Sequence, residues 1–495
     1  MKNFAKLLVL ALAVVMVATM FAFSVSAAPV TEPGADPTKL VPGSDKVIFI
    51  KDAPRDENYV VTGELEGDGT GSDANNPLKP AEHEDFDPSA DYPKWHLTTA
   101  FYQATEMLAE TGGTIVICGP IYFGEQESYG SGASVRDVFT AKFGNKVIKF
   151  TSVYDGVDYR ETADAKMIVD TPAMISILGS SIWENMDIAT VSNGRAITFD
   201  EYCTYVGEGI NCYPTDEAFE GVNTNYISLG AGHRYSKSTG ENPTLTVMSG
   251  TYNYITGGMW GTVATSSMEE ANVNLTLGGT TTVLGQVFGT VQNKAPFSGN
   301  VNITINGGTY ECDINGVGPT GMLNTDGVVN IKINGGNFAN AWSINQASMG
   351  ATNNMPASCT VDFTGWTGED VQLGFANAII TDITDVKLPE GKTAEYLQGL
   401  VDAYKPEETE PEETEPEATE PEATDPAESQ PAEATDPVEE TEPEASTPSE
   451  GENEGEDKAD EKEEGGNGWI LWVAIAAGVV VVAAIIVVVL KKKKN

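Results

Sequence analysis

A repeat of roughly 29 residues in the second half of the chain constrains the fold more than any other feature. Five segments align, and each alternates apolar with polar residues before it reaches a small residue, usually glycine. Alternation with a period of two predicts a strand with one buried face, and the glycine step predicts a sharp turn. The segments begin at residues 243, 271, 301, 329 and 359, with turn positions at Gly250, Gly279, Gly308, Gly336 and Trp366.

A second short strand is predicted after each turn, in the segments 252–258, 282–289, 310–316 and 338–344. Strand, turn, second strand and variable loop at a fixed period are typical of a β-solenoid, whose rungs stack about 4.8 Å apart. A β-sandwich is the rival fold, but its hairpins recur roughly every 8 to 12 residues. Asn306 and Asn334 occupy equivalent places in two repeats. Either they stack as a hydrogen-bonded ladder, or asparagine merely suits the turn.

A helix is expected to close the N-terminal end of this solenoid, where exposed strand edges and core would invite aggregation. Leu97, Phe101 and Leu108 share one face of a helical pattern that Gly112-Gly113 ends. The first strong strand is predicted in 114–123. Strands of irregular early coils are predicted in 147–160, 165–170, 174–189 and 196–202.

The helix followed by GGTIVICGPIYF (112–123) resembles the opening of the pectate-lyase-like right-handed parallel β-helix superfamily. The run 147–169 and the ITINGGTY step at 303–310 look like β-helix surface proteins of anaerobic Gram-positive bacteria. The resemblance covers roughly residues 60 to 370. It implies an all-β, right-handed parallel β-helix over 97–400, preceded by an extension and cap loops at 28–96. It implies no particular activity, because the superfamily holds lyases, hydrolases, adhesins and non-catalytic modules.

Both ends of the chain carry export and anchoring signals. Residues 1–27 combine Lys2 and Lys6 with an apolar run and small residues, which predicts a signal peptide cleaved after Ala27 or, as second choice, after Ala28. An uncleaved anchor is the alternative. The apolar residues 468–490 predict a single transmembrane helix, and the lysine-rich residues 491–495 predict a cytoplasmic tail.

Between the solenoid and the anchor, residues 401–467 repeat P-E-x-T-E/D and are almost devoid of apolar side chains. Such a segment cannot bury enough surface to offset chain entropy, so a disordered acidic stalk is predicted. The protein is therefore expected at the cell membrane of a Gram-positive-type surface, with an extracellular ectodomain.

The formal net charge of −45 restricts the partners. A strongly acidic surface repels nucleic acid and anionic polysaccharide, so a glycan or a host or neighbouring-cell surface ligand is expected. The five cysteines show no metal-binding spacing. They are predicted to be small buried side chains, with a Cys203–Cys212 bridge as the alternative.

No catalytic set is assigned from the sequence. The regular coils lack a repeated arginine for lyase chemistry. The fragments 324–327 and 232–234 resemble polygalacturonase motifs but stand in reversed order without the aspartate pair between them. Acidic residues of the early coils are interpreted as solvated charges, namely Asp155, Asp158, Glu184, Asp187 and Asp200. Non-catalytic adhesion or carbohydrate binding is the leading function. A β-helix polysaccharide lyase or glycoside hydrolase, or a structural envelope component, are the alternatives.

Candidate ligand contacts are the aromatic residues Tyr235, Tyr252, Trp260 and Trp342, which either stack on sugar rings or pack inward. His233 stands among them in a glycine-rich loop. The loop 67–75 gathers oxygen donors, so Asp68, Asp73 and Asn75 are candidate calcium ligands, with an ordinary glycine-rich turn as the alternative. No other cofactor is expected.

Overall fold

The computed structural model of the chain describes residues 36–87, 89, 95–124, 138–170, 174–191, 193–200, 202–216, 220, 222–232, 242–258, 272–290, 297–318, 326–341, 343–347, 356–369, 372, 385–393, 395–396 and 399. All of them belong to the compact unit that ends at Pro411. The predicted signal peptide, stalk, transmembrane helix and tail lie outside the described residues.

Almost all regular structure is β-strand. The strands are β1 (Val47–Ile50), β2 (Gly113–Ile117), β3 (Ile121–Phe123), β4 (Val138–Thr151), β5 (Val153–Tyr154), β6 (Val157–Asp158), β7 (Met167–Val169), β8 (Met174–Glu184), β9 (Met186–Thr190), β10 (Ala196–Thr198), β11 (Cys203–Val206), β12 (Ile210–Pro214), β13 (Ser228–Gly230), β14 (Thr244–Val247), β15 (Thr251–Thr256), β16 (Val273–Leu277), β17 (Thr282–Phe288), β18 (Val301–Tyr310), β19 (Asp313–Val317), β20 (Val328–Asn337), β21 (Ile344–Ala347), β22 (Ser358–Asp362) and β23 (Asp385–Lys387). The helices are α1 (Ala100–Leu108) and α2 (Tyr159–Ala163), with 3-10 turns at Pro37–Lys39, Trp95–Thr98 and Asn223–Asn225.

The strands stack in parallel on three faces, which we call sheets 1, 2 and 3. Sheet 1 runs through β1, β2, β4, β8, β11, β14, β16, β18, β20, β22 and β23. Sheet 2 contains β3, β7, β9 and β12. Sheet 3 runs through the first halves of β4 and β8 and then β10, β13, β15, β17, β19 and β21. Among the named strands only β5 and β6 pair antiparallel.

The chain visits sheets 1, 2 and 3 in turn and then climbs to the next rung. In the regular coils this places Ile303 directly beside Ile331, and Val301 beside Val329. The inward side chains of each strand are buried, whereas Asn302 and Thr304 between them face outward. The prediction of an all-β, solenoid-like fold with stacked repeats is confirmed, and the sandwich alternative is wrong because the pairing is parallel.

Asparagine ladders run up the outside of the coils. The Asn334 amide donates to Asn306 Oδ1 at 2.8 Å, so the ladder alternative for this pair is confirmed. A second ladder joins Asn330 to Asn302 at 3.1 Å and Asn302 to Asn274 at 3.2 Å. Each of these bonds joins side-chain amides one rung apart, and Asn334 Oδ1, at the end of the first ladder, is buried without a protein partner.

Helix α1 forms where the sequence predicts a helix, and it packs against β1, β2 and β4. Thr99 Oγ1 caps it by accepting from the Tyr102 N–H at 3.2 Å, and Phe101 stacks on Phe150 of sheet 1 at 5.4 Å. Gly112, with φ +68°, reverses the chain after the helix. The strand β1 pairs in parallel with β2, so the solenoid begins before residue 97, inside the segment expected to be only extension and cap.

Three local predictions were wrong. The coil that contains β17 holds a third strand segment instead of two strands, because Thr282 and Val283 pair with β18 whereas the end of β17 pairs with β19. The segment 338–344 is mostly a turn, since Asn337 Oδ1 accepts from the Ala339 N–H and the strand starts only at Ile344. Residues 159–160 begin helix α2, which Asp158 caps.

Candidate functional site

A cleft of about 550 Å³ lies beside β3 and β7 of sheet 2, where the loop 51–66 crosses the solenoid. The loop leaves β1 and is held against sheet 2 by the Asp52 N–H, which donates to Pro120 O at 3.0 Å. The charged and aromatic lining residues are Lys51, Asp52, Arg55, Asp56, Tyr59, Glu64, Glu66, Tyr122, Asp164 and Lys166. The cleft therefore combines aromatic rings with both signs of charge.

Asp52, Arg55 and Tyr122 form the floor of the cleft. The Tyr122 N–H donates to Asp52 Oδ2 at 2.8 Å, and the Arg55 guanidinium lies 3.6 Å from the same oxygen. Arg55 also lies over the Tyr122 ring, 4.9 Å from its centroid, in a cation–π contact. Burial raises the pKa of Asp52, although the Arg55 charge and the Tyr122 amide oppose that rise. The Nε of Arg55 is buried without a protein partner, so this guanidinium keeps one unused donor.

Tyr59 covers the other part of the Tyr122 ring. The two rings stack with centroids 4.8 Å apart and planes 17° from parallel. Tyr59 reaches this place through a left-handed backbone, with φ +62°, which is rare for a bulky residue. A small hairpin holds that conformation: Asp56 Oδ1 accepts from the Asn58 and Val60 N–H groups, and Arg55 Nη1 donates to Tyr59 O at 2.7 Å. Strain of this kind clusters at functional sites.

The outer side of sheet 2 continues from the cleft along the next rungs. Tyr122, Ile168 and Ala189 form a small buried cluster, and the half-buried Tyr59 and Tyr213 pack on it. The Tyr122 hydroxyl donates to Asp170 Oδ2 at 2.8 Å. An aromatic surface with polar groups beside it thus extends beyond the cleft itself.

A charged pair lies at the side of this surface. Arg160 binds Asp158 through two nitrogens, at 2.9 and 2.6 Å, and donates from Nη1 to Gly209 O at 2.8 Å. The same Nη1 lies 4.0 Å from Asp187 Oδ1. Burial raises the pKa of Asp187, and the Arg160 charge and a hydrogen bond from Asn211 counteract it.

Of the sequence-predicted ligand residues, Tyr252 is the one that the structure describes, and it does not line this cleft. Tyr252 is 0 % exposed, and its hydroxyl donates to Ser249 O at 2.8 Å, so it packs inward as the alternative reading had it. A buried ring cannot stack on a sugar, and Tyr252 is removed from the candidate contacts. Tyr235, Trp260, Trp342 and His233 lie outside the described residues.

The candidate calcium loop is ordered by its own hydrogen bonds. Asp68 Oδ1 accepts from the Thr70 N–H at 2.9 Å, and Asp73 Oδ1 accepts from the Asn75 N–H at 2.8 Å. The side chain of Asn76 also donates to Asp73 and lowers the pKa of that carboxyl. Within the described part of the chain, no group of three or more His, Cys, Asp or Glu residues is arranged to hold a metal ion.

All five cysteines are free and buried, so the Cys203–Cys212 bridge is absent. Burial raises the pKa of Cys118 to about 11 and that of Cys203 to about 12. The cysteines act as small core side chains, as predicted. Among the helices that the structure describes, none has the length and hydropathy of a membrane span, and the predicted span at 468–490 lies outside them.

The loop 51–66 was overlooked in the sequence because its tyrosine and charged residues show no motif spacing. The nearest signal is Tyr59 itself, which follows D-E-N where a turn-forming residue is usual. No family model, curated protein or solved structure matches the chain. The site is therefore argued from its own geometry.

Proposed function

We propose that this chain is a cell-surface, right-handed parallel β-helix protein that binds glycan without cleaving it, and that the cleft beside sheet 2 is the binding site. In this proposal the signal peptide exports the chain, the transmembrane helix anchors it, and the acidic stalk displays the solenoid outside the cell. The stacked Tyr59–Tyr122 pair in a charged cleft is the observation that carries the proposal.

Sugar rings have apolar faces and hydroxyl edges, so they suit a site with one aromatic surface and nearby donors and acceptors. Tyr59 provides the aromatic surface, because its ring is half-buried while Tyr122 beneath it is buried. Lys51, Glu64 and Glu66 line the cleft without a hydrogen bond or ion pair in the described structure. These side chains are free to bind sugar hydroxyls.

The charges of the cleft support a neutral glycan. Lys166 is paired with Asp164 at 2.8 Å, and Arg55 is committed to Asp52 and Tyr122. These pairs leave little net positive charge to attract an anionic polymer, and the protein as a whole is strongly acidic. No residue of the candidate calcium loop 67–75 lines the cleft, so calcium is not part of the proposal.

The test is binding of the purified full chain, in detergent, to an array of neutral and anionic glycans. We expect binding to neutral glycans, a loss of at least about tenfold in affinity for Tyr59→Ala, and retention in Tyr59→Phe. Tyr154→Ala is a matched control, because Tyr154 is 37 % exposed and does not line the cleft. Absence of binding to every glycan, or equal binding by Tyr59→Ala, would overturn the proposal.

One observation favours a second candidate, a glycoside hydrolase or lyase. Asp52 is a half-buried carboxyl next to Arg55 whose pKa is raised by burial, and such environments occur at active sites. Reducing-end and unsaturated-product assays on the bound glycans distinguish the two functions. Product release that disappears in Asp52→Asn would establish the enzyme instead.

A further inference from the structure

The cleft continues into a column of side chains along the solenoid axis. Parallel pairing places Tyr122 beside Ile168, Ile168 beside Ala189, and Ala189 beside Tyr213. Tyr122 and Tyr213 are thus three rung spacings apart, roughly 14 Å. Tyr59 packs at the Tyr122 end and Tyr213 at the other, so aromatic rings stand at both ends of one apolar column.

Polar side chains form a second column beside the apolar one. Asp187 pairs in register with Asn211, and Lys166 precedes Met167, whose partner on the next rung is Ile188. Lys166, Asp187 and Asn211 therefore stand on successive rungs, two residues before Ile168, Ala189 and Tyr213. Side chains two apart in a strand point to the same face. The polar column accordingly borders the apolar one from Ile168 to Tyr213.

From these two columns we infer that the ligand is a polymer, an extended neutral β-1,4-linked glycan chain that lies along the solenoid axis from the cleft to Tyr213. The inference rests on the proposed function and adds the class of glycan, its direction and its length. The rungs repeat about every 4.8 Å along this axis, and a sugar residue in an extended chain has a similar length. The surface from Tyr59 to Tyr213 then holds about three to four sugar residues.

The straight line of contacts selects an extended chain. Pairing without register shifts makes the column straight, and the half-buried rings of Tyr59 and Tyr213 stand at its two ends over the buried Ile168 and Ala189. A β-1,4-linked chain presents apolar faces and regularly spaced hydroxyls along its edges. Its apolar faces stack on the rings of Tyr59 and Tyr213. The hydroxyls along one edge donate to Asp187 and accept from Asn211 and Lys166.

The charges along the column are balanced, so the bound glycan chain is neutral. Arg160 binds Asp158 and lies 4.0 Å from Asp187, while Lys166 lies 2.8 Å from Asp164. A uronic acid chain would bring a carboxylate to almost every rung. Each carboxylate would meet aspartates whose partners are already committed.

The experiment compares gluco-, manno- and xylo-oligosaccharides, all β-1,4-linked, with two, four and six residues, by calorimetry on the purified full chain. We expect affinity to rise at least about tenfold from two to four residues in one or more of the three series, and to level off by six. Tyr213→Ala is expected to remove that gain, and Tyr213→Phe to preserve it.

A thermal midpoint within a few degrees of wild type shows that Tyr213→Ala folds. Asp187→Asn, which keeps side-chain shape, is a second variant expected to weaken the tetrasaccharide about threefold. Equal affinity for two and four residues, or an unchanged gain in Tyr213→Ala, overturns the extended site but leaves glycan binding standing. Helical α-1,4- and β-1,3-linked oligosaccharides of the same lengths are titrated in parallel, and stronger binding of either overturns the class of glycan. No binding to any sugar contradicts the proposed function as well.

Discussion

The strained backbone of Tyr59 allows the contribution of its ring to stability to be separated from its contribution to glycan binding. A left-handed conformation costs a residue with a Cβ roughly 1–2 kcal/mol, a cost that glycine does not bear. Tyr59 has φ +62°, and its ring stacks on Tyr122. The stack stabilises the fold by about 0.5–1.5 kcal/mol beyond its buried area.

Tyr59→Ala retains the strain and loses the stack, whereas Tyr59→Gly loses both. Glycine also gives the unfolded chain extra entropy worth about 0.4–1 kcal/mol. The free energy of opening the hairpin around residue 59 is therefore expected to be higher in Tyr59→Gly than in Tyr59→Ala, by about 0.5–1 kcal/mol. Both variants are expected to lose glycan affinity, since both lack the ring.

Hydrogen exchange of single amides measures this local difference without unfolding the whole solenoid. The Thr62 N–H, which donates to Pro54 O at 2.8 Å, and the Asp56 N–H, which donates to Val60 O at 2.9 Å, report on the hairpin. We expect exchange two- to fivefold slower in Tyr59→Gly than in Tyr59→Ala, by the conversion of about 1.4 kcal/mol per tenfold. Slower exchange in the alanine variant would refute the argument, because it would mean that the backbone at residue 59 is not left-handed.

Three further predictions concern the solenoid. Ile303 is buried between two rungs, so Ile303→Ala is expected to lower the free energy of unfolding by about 2–5 kcal/mol and Ile303→Val by about 0.5–1.5 kcal/mol in urea titrations; equal effects of the two changes would contradict a packed interior. Asn300→Ala is expected to lower the free energy of unfolding by about 1–3 kcal/mol. The Asn300 side chain donates to Asn272 and accepts from the Val328 N–H, and that N–H loses its partner in the variant. Lys332→Ala, at an exposed position, is the control and is expected to change the free energy of unfolding little. All five cysteines are expected to resist iodoacetamide at pH 8 in the native chain and to react in denaturant, since burial raises their pKa values; mass spectrometry that finds only three reactive thiols after denaturation would show a disulfide.

The regular coils were predictable because their pattern is local. The alternation of Val301, Ile303 and Ile305 fixes which face is buried, and the glycine at 308 marks the turn. The capping helix was predictable for the same reason. The interior columns then follow from the repeat length alone, since equal spacing brings equivalent residues side by side.

The third strand segment was not predictable, because it depends on the position at which a short strand changes its pairing partner. Tyr252 and Tyr254 belong to one continuous strand in sequence, yet their pairing partners shift between them. The turn after Asn337 depends on Phe338, which stacks on Tyr310 of the preceding rung at 4.9 Å and whose N–H donates to Gln372 O. Contacts of this kind join distant residues and leave no periodic trace.

The candidate site was missed for a related reason. Its floor pairs Asp52 with Tyr122, which is 70 positions away in the chain. The aromatic residues singled out in the sequence lie in the regular repeats or just before them, whereas Tyr59 and Tyr213 lie in earlier, irregular parts of the chain. The alignment of Tyr122, Ile168, Ala189 and Tyr213 requires the exact rung lengths of those coils, which their sequences do not repeat.

The stacking of successive rungs is tested most directly by an engineered disulfide. Thr304 and Lys332 are paired in neighbouring rungs and face outward, so their Cα atoms are about 4.8 Å apart, within the range of about 4.4–6.8 Å for a disulfide. The account predicts that Thr304→Cys with Lys332→Cys forms a bridge on mild oxidation, seen as a loss of two mass units in the native chain. Thr304→Cys with Asn330→Cys, displaced by two residues along the strand, is predicted to stay reduced. A bridge in the second variant but not in the first would contradict the rung register on which the fold and the site depend.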